Sequence, residues 1–242
     1  RPSTGWGTRP LTTPFADART KAEEALGKGD AKGAFTHLHG ALAWPGTLEA
    51  PEQWEEALDL FARISDGMGD TTLGSHLRDA SRTYNDPNAL YDLGYELLER
   101  GLTGIGATVL SRTNALAPGR PKVLGELAFA LGDVGQSGEV VRVLRAVPEM
   151  TERDFVLSYL LAFHSVMTRD LEEAARRLPR LLADAQNGKS TEFPPMAKTI
   201  EGILARADAV RHATPLDDDD LRGWQFVVNG HFLLHVSPHG EE

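Results

Sequence analysis

Residues 87 to 120 carry two consecutive amphipathic helical patterns, and this stretch constrains the fold more than any other part of the chain. The first pattern runs up to Gly101, and the second follows it and ends before Pro118. Their apolar residues recur at helical spacing and are Leu90, Leu93, Leu97, Leu98, Leu102, Ile105, Val109, Leu110 and Leu116. Two helices joined in this way cannot bury their apolar faces alone. The stretch therefore predicts a helical hairpin that stacks against further hairpins.

The hairpin resembles a tetratricopeptide repeat, a unit of 34 residues with two helices. That family requires a large apolar residue at the fourth position, Leu-Gly at the seventh and eighth, and small residues where the helices cross. The residues that match are Leu90, Leu93, Gly94, Gly101, Gly106, Leu110 and the closing Pro118. The resemblance implies an all-α solenoid of stacked hairpins.

The pattern recurs in four further frames. A shift of 34 residues places Leu124, Leu127, Ala128, Gly135, Val140 and Leu144 at the same positions. A frame from Phe155 places Leu161, Ala162, Leu171, Ala174 and Leu178 there, and one from Phe15 places Ala22, Gly29, Ala34, Leu38 and Ala41 there. A looser unit, residues 51 to 86, has Trp54, Leu58 and Phe61 on one helix and Leu73, Leu77 and Ala80 on the next. About five hairpins are therefore expected over residues 15 to 188.

The frames also depart from the family pattern. Pro148 comes before the expected closing position, which Glu152 occupies. Pro179 falls inside the second helix of the fifth unit, where a proline is expected to kink or end the helix. Ala18 and Lys21 stand where large apolar residues are expected. The alternative is an irregular helical bundle whose spacing is coincidental.

The predicted organisation has four parts: an extended segment at residues 1–14, the repeats at 15–188, a loop and capping helix at 189–213, and an acidic turn with a β-hairpin at 214–242. Trp6 is expected to anchor the first part, because it is the one large apolar group among the first ten residues. The capping helix is expected from Met196 to Val210. In the hairpin, Asn229-Gly230 predicts a type I′ turn.

With that turn, Val227 faces Phe232 and both faces of the hairpin are largely apolar. A hairpin with two apolar faces needs a cover on each. We expect the capping helix on one face and, on the other, either a second copy of the chain or polypeptide beyond Glu242.

Composition disfavours nucleic-acid partners and excludes some kinds of covalent and metal site. The formal charge of −10 and the lack of an extended basic cluster disfavour nucleic acid. The chain has no cysteine, so thiolate metal sites and disulfides are excluded. No apolar run reaches the roughly 20 residues of a membrane span, and the N-terminus lacks the features of a signal peptide. A soluble, cytoplasmic protein that binds no nucleic acid or membrane is expected.

Motifs for catalysis are mostly absent. Gly188-Lys189-Ser190 lacks the earlier glycine of a phosphate-binding loop, and Gly101, Gly104 and Gly106 have the wrong order for a dinucleotide fingerprint. The acidic run from Asp217 to Asp220 is interpreted as a solvated turn. The strongest chemical candidates, His231, His235 and His239, have the even spacing of one strand face and could bind zinc, but Pro238 interrupts that strand. No cofactor is therefore predicted, and an enzyme or metal-binding protein remains the alternative.

The resemblance implies a partner-binding groove lined by the first helix of each hairpin. The groove residues would be Asn88, Tyr91, Tyr95 and Glu99, then Lys122, Phe129 and Asp133, then Tyr159, Phe163 and Met167. Tyr91 and Tyr95 replace the lysine and asparagine that chaperone-binding members use to clamp a carboxylate, so that partner class is disfavoured.

The expected function is therefore a non-catalytic scaffold for a protein or peptide segment, or the sensor part of a larger regulator. At least two of the four groove aromatics Tyr91, Tyr95, Phe129 and Phe163 should then be solvent-exposed. The alternative is that these aromatics pack between helices.

Overall fold

The computed structural model describes residues 15–48 and 50–188, residues 202 and 205, and the backbone of 225–229 and 232–236. This part of the chain is almost entirely helical, which confirms the all-α prediction. Its helices are α1 (Phe15–Gly27), α2 (Ala31–Leu42), α3 (Pro51–Gly67), α4 (Thr71–Arg82), α5 (Pro87–Glu99), α6 (Thr103–Leu116), α7 (Pro121–Asp133), α8 (Ser137–Arg145), α9 (Pro148–Arg153), α10 (Phe155–Met167) and α11 (Leu171–Gln186). None of these helices is both long and apolar enough to cross a membrane.

Ten of these helices form five successive pairs in a repeat-like arrangement. The members of each pair, α1 with α2, α3 with α4, α5 with α6, α7 with α8, and α10 with α11, pack against each other. The first helices begin at Phe15, Pro51, Pro87, Pro121 and Phe155, which are the starts of the five predicted frames. The short helix α9 was not predicted: Pro148 begins this helix.

Each pair is joined by the same backbone turn. The second residue after the end of each first helix has a positive φ, between 63° and 90°; these residues are Gly29, Gly69, Gly101, Gly135 and Arg169. The next backbone N–H then bonds to a carbonyl five residues back, as from Asp30 to Ala25 at 2.9 Å. This is a Schellman ending, which satisfies the last carbonyls of one helix while the chain reverses into the next. Glycine at four of the five turns has no Cβ to oppose the left-handed backbone.

Small residues allow the two helices of the third pair to approach closely. A Cβ on Gly94 of α5 would lie 2.9 Å from the side chain of Leu110, and one on Gly106 of α6 would lie 2.6 Å from that of Leu98. Neither position has room for a larger residue. The prediction that these glycines mark the crossing of the two helices is confirmed.

The chain divides into two compact units, Arg1–Pro118 and Gly119–Glu242. In the first unit all six helices contribute to one apolar core. Its third pair also contacts its first pair: the Thr108 hydroxyl on α6 donates to the backbone oxygen of Leu42 on α2 at 2.6 Å. A Cβ on Gly104 would lie 2.9 Å from the Ala43 backbone oxygen, so glycine permits this approach. A linear stack, in which each hairpin contacts only its neighbours, has no such contact.

The second unit is built around α10, which packs against α7, α8, α9 and α11. Pro179 was expected to kink or end the last helix; it does not end it, because α11 continues to Gln186. Pro179 lies on the exposed face of α11. Proline has no N–H, so the carbonyl group four residues before Pro179 receives no helical hydrogen bond. Water can reach that carbonyl group on the exposed face.

Near the C-terminus, β1 (Gln225–Asn229) pairs antiparallel with β2 (Phe232–Val236). Asn229 pairs with Phe232, so the predicted register, with Val227 opposite Phe232, was wrong by two positions on that strand. Sequence alone specifies this register weakly, because a slip along a hairpin with two apolar faces exposes no clear set of polar residues to the core. The side chains of the hairpin, Trp6 and the acidic turn lie outside the described residues, as does the predicted helix from Met196 to Val210 apart from residues 202 and 205.

Candidate functional site

The ten predicted groove residues belong to both compact units. Four of them lie on α5 in the first unit: Asn88, Tyr91, Tyr95 and Glu99. The other six lie in the second unit: Lys122, Phe129 and Asp133 on α7, and Tyr159, Phe163 and Met167 on α10.

In the first unit, one face of α5 is polar and aromatic. A helix turns about 100° per residue, so Asn88, Tyr91, Asp92, Tyr95 and Glu99 fall on a single stripe, which we call the α5 tyrosine face. Tyr95 is 40% exposed, its three polar neighbours on the stripe are exposed, and Tyr91 is half-buried. The opposite side of α5 carries the buried leucines 90, 93 and 97. The helix therefore buries its leucine side and presents its tyrosine side to solvent.

The two tyrosines are stacked on each other. Their ring centroids lie 6.4 Å apart with an interplanar angle of 28°. Residues four apart are neighbours on a helix surface, so the backbone itself sets this arrangement. The ring of Tyr95 is consequently held in place while two-fifths of the residue remains accessible.

Polar contacts fix the neighbouring side of α5 to α4. The Glu96 carboxylate lies 2.7 Å from His76 Nδ1 and accepts a hydrogen bond from Arg100 Nε at 2.9 Å. Arg100 in turn contacts Asp70, the N-cap of α4, at 2.5 Å. The hydrogen bond that Arg100 donates to Glu96 raises the pKa of Arg100, with a further contribution from Asp70. This network orients α5 and leaves Asp92 and Glu99 out of it.

In the second unit the predicted aromatics are mostly covered. Tyr159 and Phe163 are only 4% and 3% exposed, and their rings stack at 6.2 Å. Phe129 is half-buried, whereas Lys122, Asp133 and Met167 are exposed. Burial raises the pKa of the Tyr159 hydroxyl, and partial desolvation raises the pKa of the Asp133 carboxyl.

The expectation of at least two exposed aromatics among Tyr91, Tyr95, Phe129 and Phe163 was therefore wrong, because only Tyr95 is exposed. Tyr159 and Phe163 lie on α10, and four helices pack around α10, so these two side chains serve as packing residues. The signal was present in the sequence, since Phe155–Met167 reads FVLSYLLAFHSVM, apolar on almost every side. A helix that is apolar all round is a buried helix.

Sequence reasoning missed the buried histidine of the same helix. His164 is 3% exposed, and its Nδ1 lies 3.0 Å from the Ser137 hydroxyl at the start of α8. Burial lowers the pKa of His164 to about 4. A Cβ on Gly132 would lie 2.8 Å from the ring, so the imidazole fills the space that this glycine leaves. The neutral ring pins α10 to α7 and α8.

A second buried polar group is the guanidinium of Arg177 on α11. Its polar partners also lie within the second unit. It contacts Glu173 and Glu152, and it donates to the Ser158 hydroxyl at 3.1 Å. Although burial alone would raise the pKa of Glu173, hydrogen bonds from Arg177 and Arg176 hold it below its ordinary value. Such a satisfied network has a structural role.

Within the described residues, no three His, Asp or Glu side chains are placed to hold a metal ion. The histidines proposed from sequence, His231, His235 and His239, have side chains outside the described part of the chain. No family model matches the chain, and no curated protein sequence matches it. The α5 tyrosine face is thus the candidate site that the geometry supports best.

Proposed function

We propose that the chain is a non-catalytic interaction scaffold, a tetratricopeptide-like solenoid whose third helix pair also contacts its first, and that it binds a protein or peptide segment through the α5 tyrosine face. The observation that best supports this proposal is the accessible ring of Tyr95. This ring stacks on Tyr91 on the solvent side of a helix whose other side is buried in the core. A tyrosine that is already ordered loses little conformational entropy when a partner covers it. Tyrosine is accordingly enriched among residues that dominate binding energy.

The helical framework supports this role. The first unit has one apolar core, and the Schellman turns and the Thr108 contact fix its helices relative to one another. A binding face built on such a helix keeps its geometry when the partner is absent. Less free energy is then spent on ordering the site.

Selection from an unbiased peptide display library tests the proposal. Peptides selected on the purified chain are re-measured against Tyr95→Ala and against Met68→Ala, a matched control that removes another exposed apolar side chain, 41% exposed, from the end of α3. Truncation of a true anchor costs about 2 kcal/mol or more, so Tyr95→Ala should weaken binding at least tenfold. Met68→Ala should leave it unchanged.

Circular dichroism and the thermal midpoint check that both variants fold. If every selected peptide binds Tyr95→Ala as tightly as the original chain, the α5 tyrosine face is not the binding site and the proposal is overturned.

A further inference from the structure

Charge is divided unequally between the two helices of each pair in the first unit. The first helices, α1, α3 and α5, together carry eleven acidic and three basic residues, a formal charge of −8. The second helices, α2, α4 and α6, carry one acidic and four basic residues, a formal charge of +3. α5 itself has three acidic residues and no basic one. Partners that approach the first helices therefore meet a negative potential, which attracts cationic chains and repels acidic ones.

The arrangement around Tyr95 is more specific than this overall charge. Asp92 lies three residues before Tyr95 and Glu99 four residues after it, so a carboxylate stands one helical turn away on either side of the ring. Both are exposed, and neither forms an ion pair with any described residue. By contrast, Glu96 on the adjacent side of the helix is engaged by His76 and Arg100.

An exposed aromatic ring flanked by two carboxylates is complementary to a guanidinium group. The ring face attracts a cation through its quadrupole, and the planar guanidinium can stack on the ring while its N–H groups reach carboxylate oxygens. An ammonium group fits less well, because it is more strongly hydrated and has no plane to stack. A neutral apolar side chain would leave both carboxylates without a partner.

We infer that the partner segment of the α5 tyrosine face is a basic polypeptide, with an arginine side chain stacked on Tyr95 between Asp92 and Glu99. This inference rests on the proposed function and names the chemistry of its partner.

The test uses defined probes and the whole chain. A fluorescein-labelled peptide of four Arg-Gly-Ser repeats is titrated with the protein and followed by anisotropy, beside the matching Lys-Gly-Ser and Glu-Gly-Ser peptides. The arginine peptide should bind most tightly, the lysine peptide more weakly and the glutamate peptide not measurably. Added salt should weaken the binding, because the carboxylates are exposed to solvent.

Variants separate the site from overall charge. Tyr95→Ala should weaken binding of the arginine peptide about tenfold, whereas Tyr95→Phe, which keeps the ring face, should retain it. The double variant Asp92→Asn, Glu99→Gln should weaken it several-fold. The matched control, Glu149→Gln with Glu172→Gln, removes two exposed carboxylates from the second unit and should have little effect.

Two results would overturn the inference: equal affinity for the arginine and glutamate peptides, or equal losses from the α5 double variant and the control. Library-selected peptides that depend on Tyr95 but carry neutral or acidic residues would also overturn it while leaving the proposed function standing. The proposed function fails by a different result, namely selected peptides that are all insensitive to Tyr95→Ala.

Discussion

The buried guanidinium of Arg177 donates through Nη1 to the backbone oxygen of Thr151 at 3.1 Å, which ties the last helix of the described core, α11, to the short helix α9. The Arg177 side chain is only 5% exposed, while its neighbour Arg176 is 54% exposed and contacts the same two carboxylates, Glu152 and Glu173. Two adjacent arginines thus share partners but differ in burial. Replacing each arginine in turn therefore compares the stability contributed by a buried network with that contributed by a surface ion pair.

Replacement of Arg177 by Ala should destabilise the protein by about 3 kcal/mol, because it leaves the buried Thr151 carbonyl oxygen without this donor and removes one cation from the partly buried Glu173 carboxylate. Arg176→Ala should cost about 1 kcal/mol or less, since solvent screens the exposed pair. Urea unfolding of both variants measures the difference. Similar losses from the two would mean that the Arg177 network has no special role.

Arg169 is the one non-glycine residue at a positive φ among the described residues, at 63°. A left-handed backbone costs a residue with a Cβ roughly 1 to 2 kcal/mol, and the greater freedom of glycine in the unfolded chain offsets part of the gain from replacing it. Arg169→Gly should therefore stabilise the protein by about 0.5 to 1 kcal/mol in thermal or urea unfolding. The equivalent turn in the second pair supplies the reverse test.

At Gly69, with φ 90°, an added Cβ would meet no atom within 4 Å. Gly69→Ala changes only the backbone preference, so it should destabilise by about 1 kcal/mol. A neutral result at both positions would show that the turn conformation carries no strain.

The protonation of His164 should make stability depend on pH between about 6.5 and 4. The unfolded chain takes up a proton near the ordinary histidine pKa of about 6.5, whereas the folded ring stays neutral until the pKa of about 4. The unfolded state therefore binds more protons in this window, and stability falls as the pH is lowered. The loss should total about 3 kcal/mol and level off below pH 4.

His164→Gln keeps a polar group near Ser137 but cannot titrate, so it serves as the control. Chemical unfolding at several pH values should give a steeper fall for the original chain than for the variant across the window. Parallel curves for the two proteins would contradict the prediction.

The sequence predicted features that depend on local chemistry. Helical periodicity located the five pairs, and the glycines at positions 29, 101 and 135 marked three of their turns, because a left-handed backbone favours a residue without a Cβ. Gly94 and Gly106 were likewise recognised as crossing positions, because only small residues fit there.

Features that depend on distant contacts were not predictable. The contact between Thr108 and Leu42 joins residues far apart in sequence, and the local sequence pattern of neither helix predicts it. The burial of Tyr159 and Phe163 depends on how many helices surround α10, which a single repeat frame does not specify. For the candidate site, the frame located Tyr91 and Tyr95 on α5, while the accessibility of each ring required the folded unit.

The start of α8 offers a final test of how the second helices are stabilised. Three other second helices have an aspartate as N-cap, and its carboxylate accepts a hydrogen bond from the backbone N–H three residues later. These hydrogen bonds run to Asp30 from Gly33, to Asp70 from Leu73 and to Asp170 from Glu173. Gln136 occupies the same position with a similar backbone, φ −90° and ψ 49°, and makes no side-chain cap. Its Nε2 is buried and has no hydrogen-bond partner among the residues that the structure describes.

The Glu139 N–H now donates to the Gln136 backbone oxygen at 2.9 Å. Gln136→Ser should stabilise the protein by about 1 kcal/mol, because a serine hydroxyl can accept a hydrogen bond from this N–H as an N-cap without adding a negative charge beside the Glu139 carboxylate. Gln136→Ala is the matched control: it removes the buried amide but supplies no cap. If the cap is responsible, the serine variant should exceed the alanine variant in urea midpoint. Equal midpoints would mean that any gain comes from the lost amide, and that α8 needs no cap at its N-terminus because its packing against α7 and α10 already holds it in place.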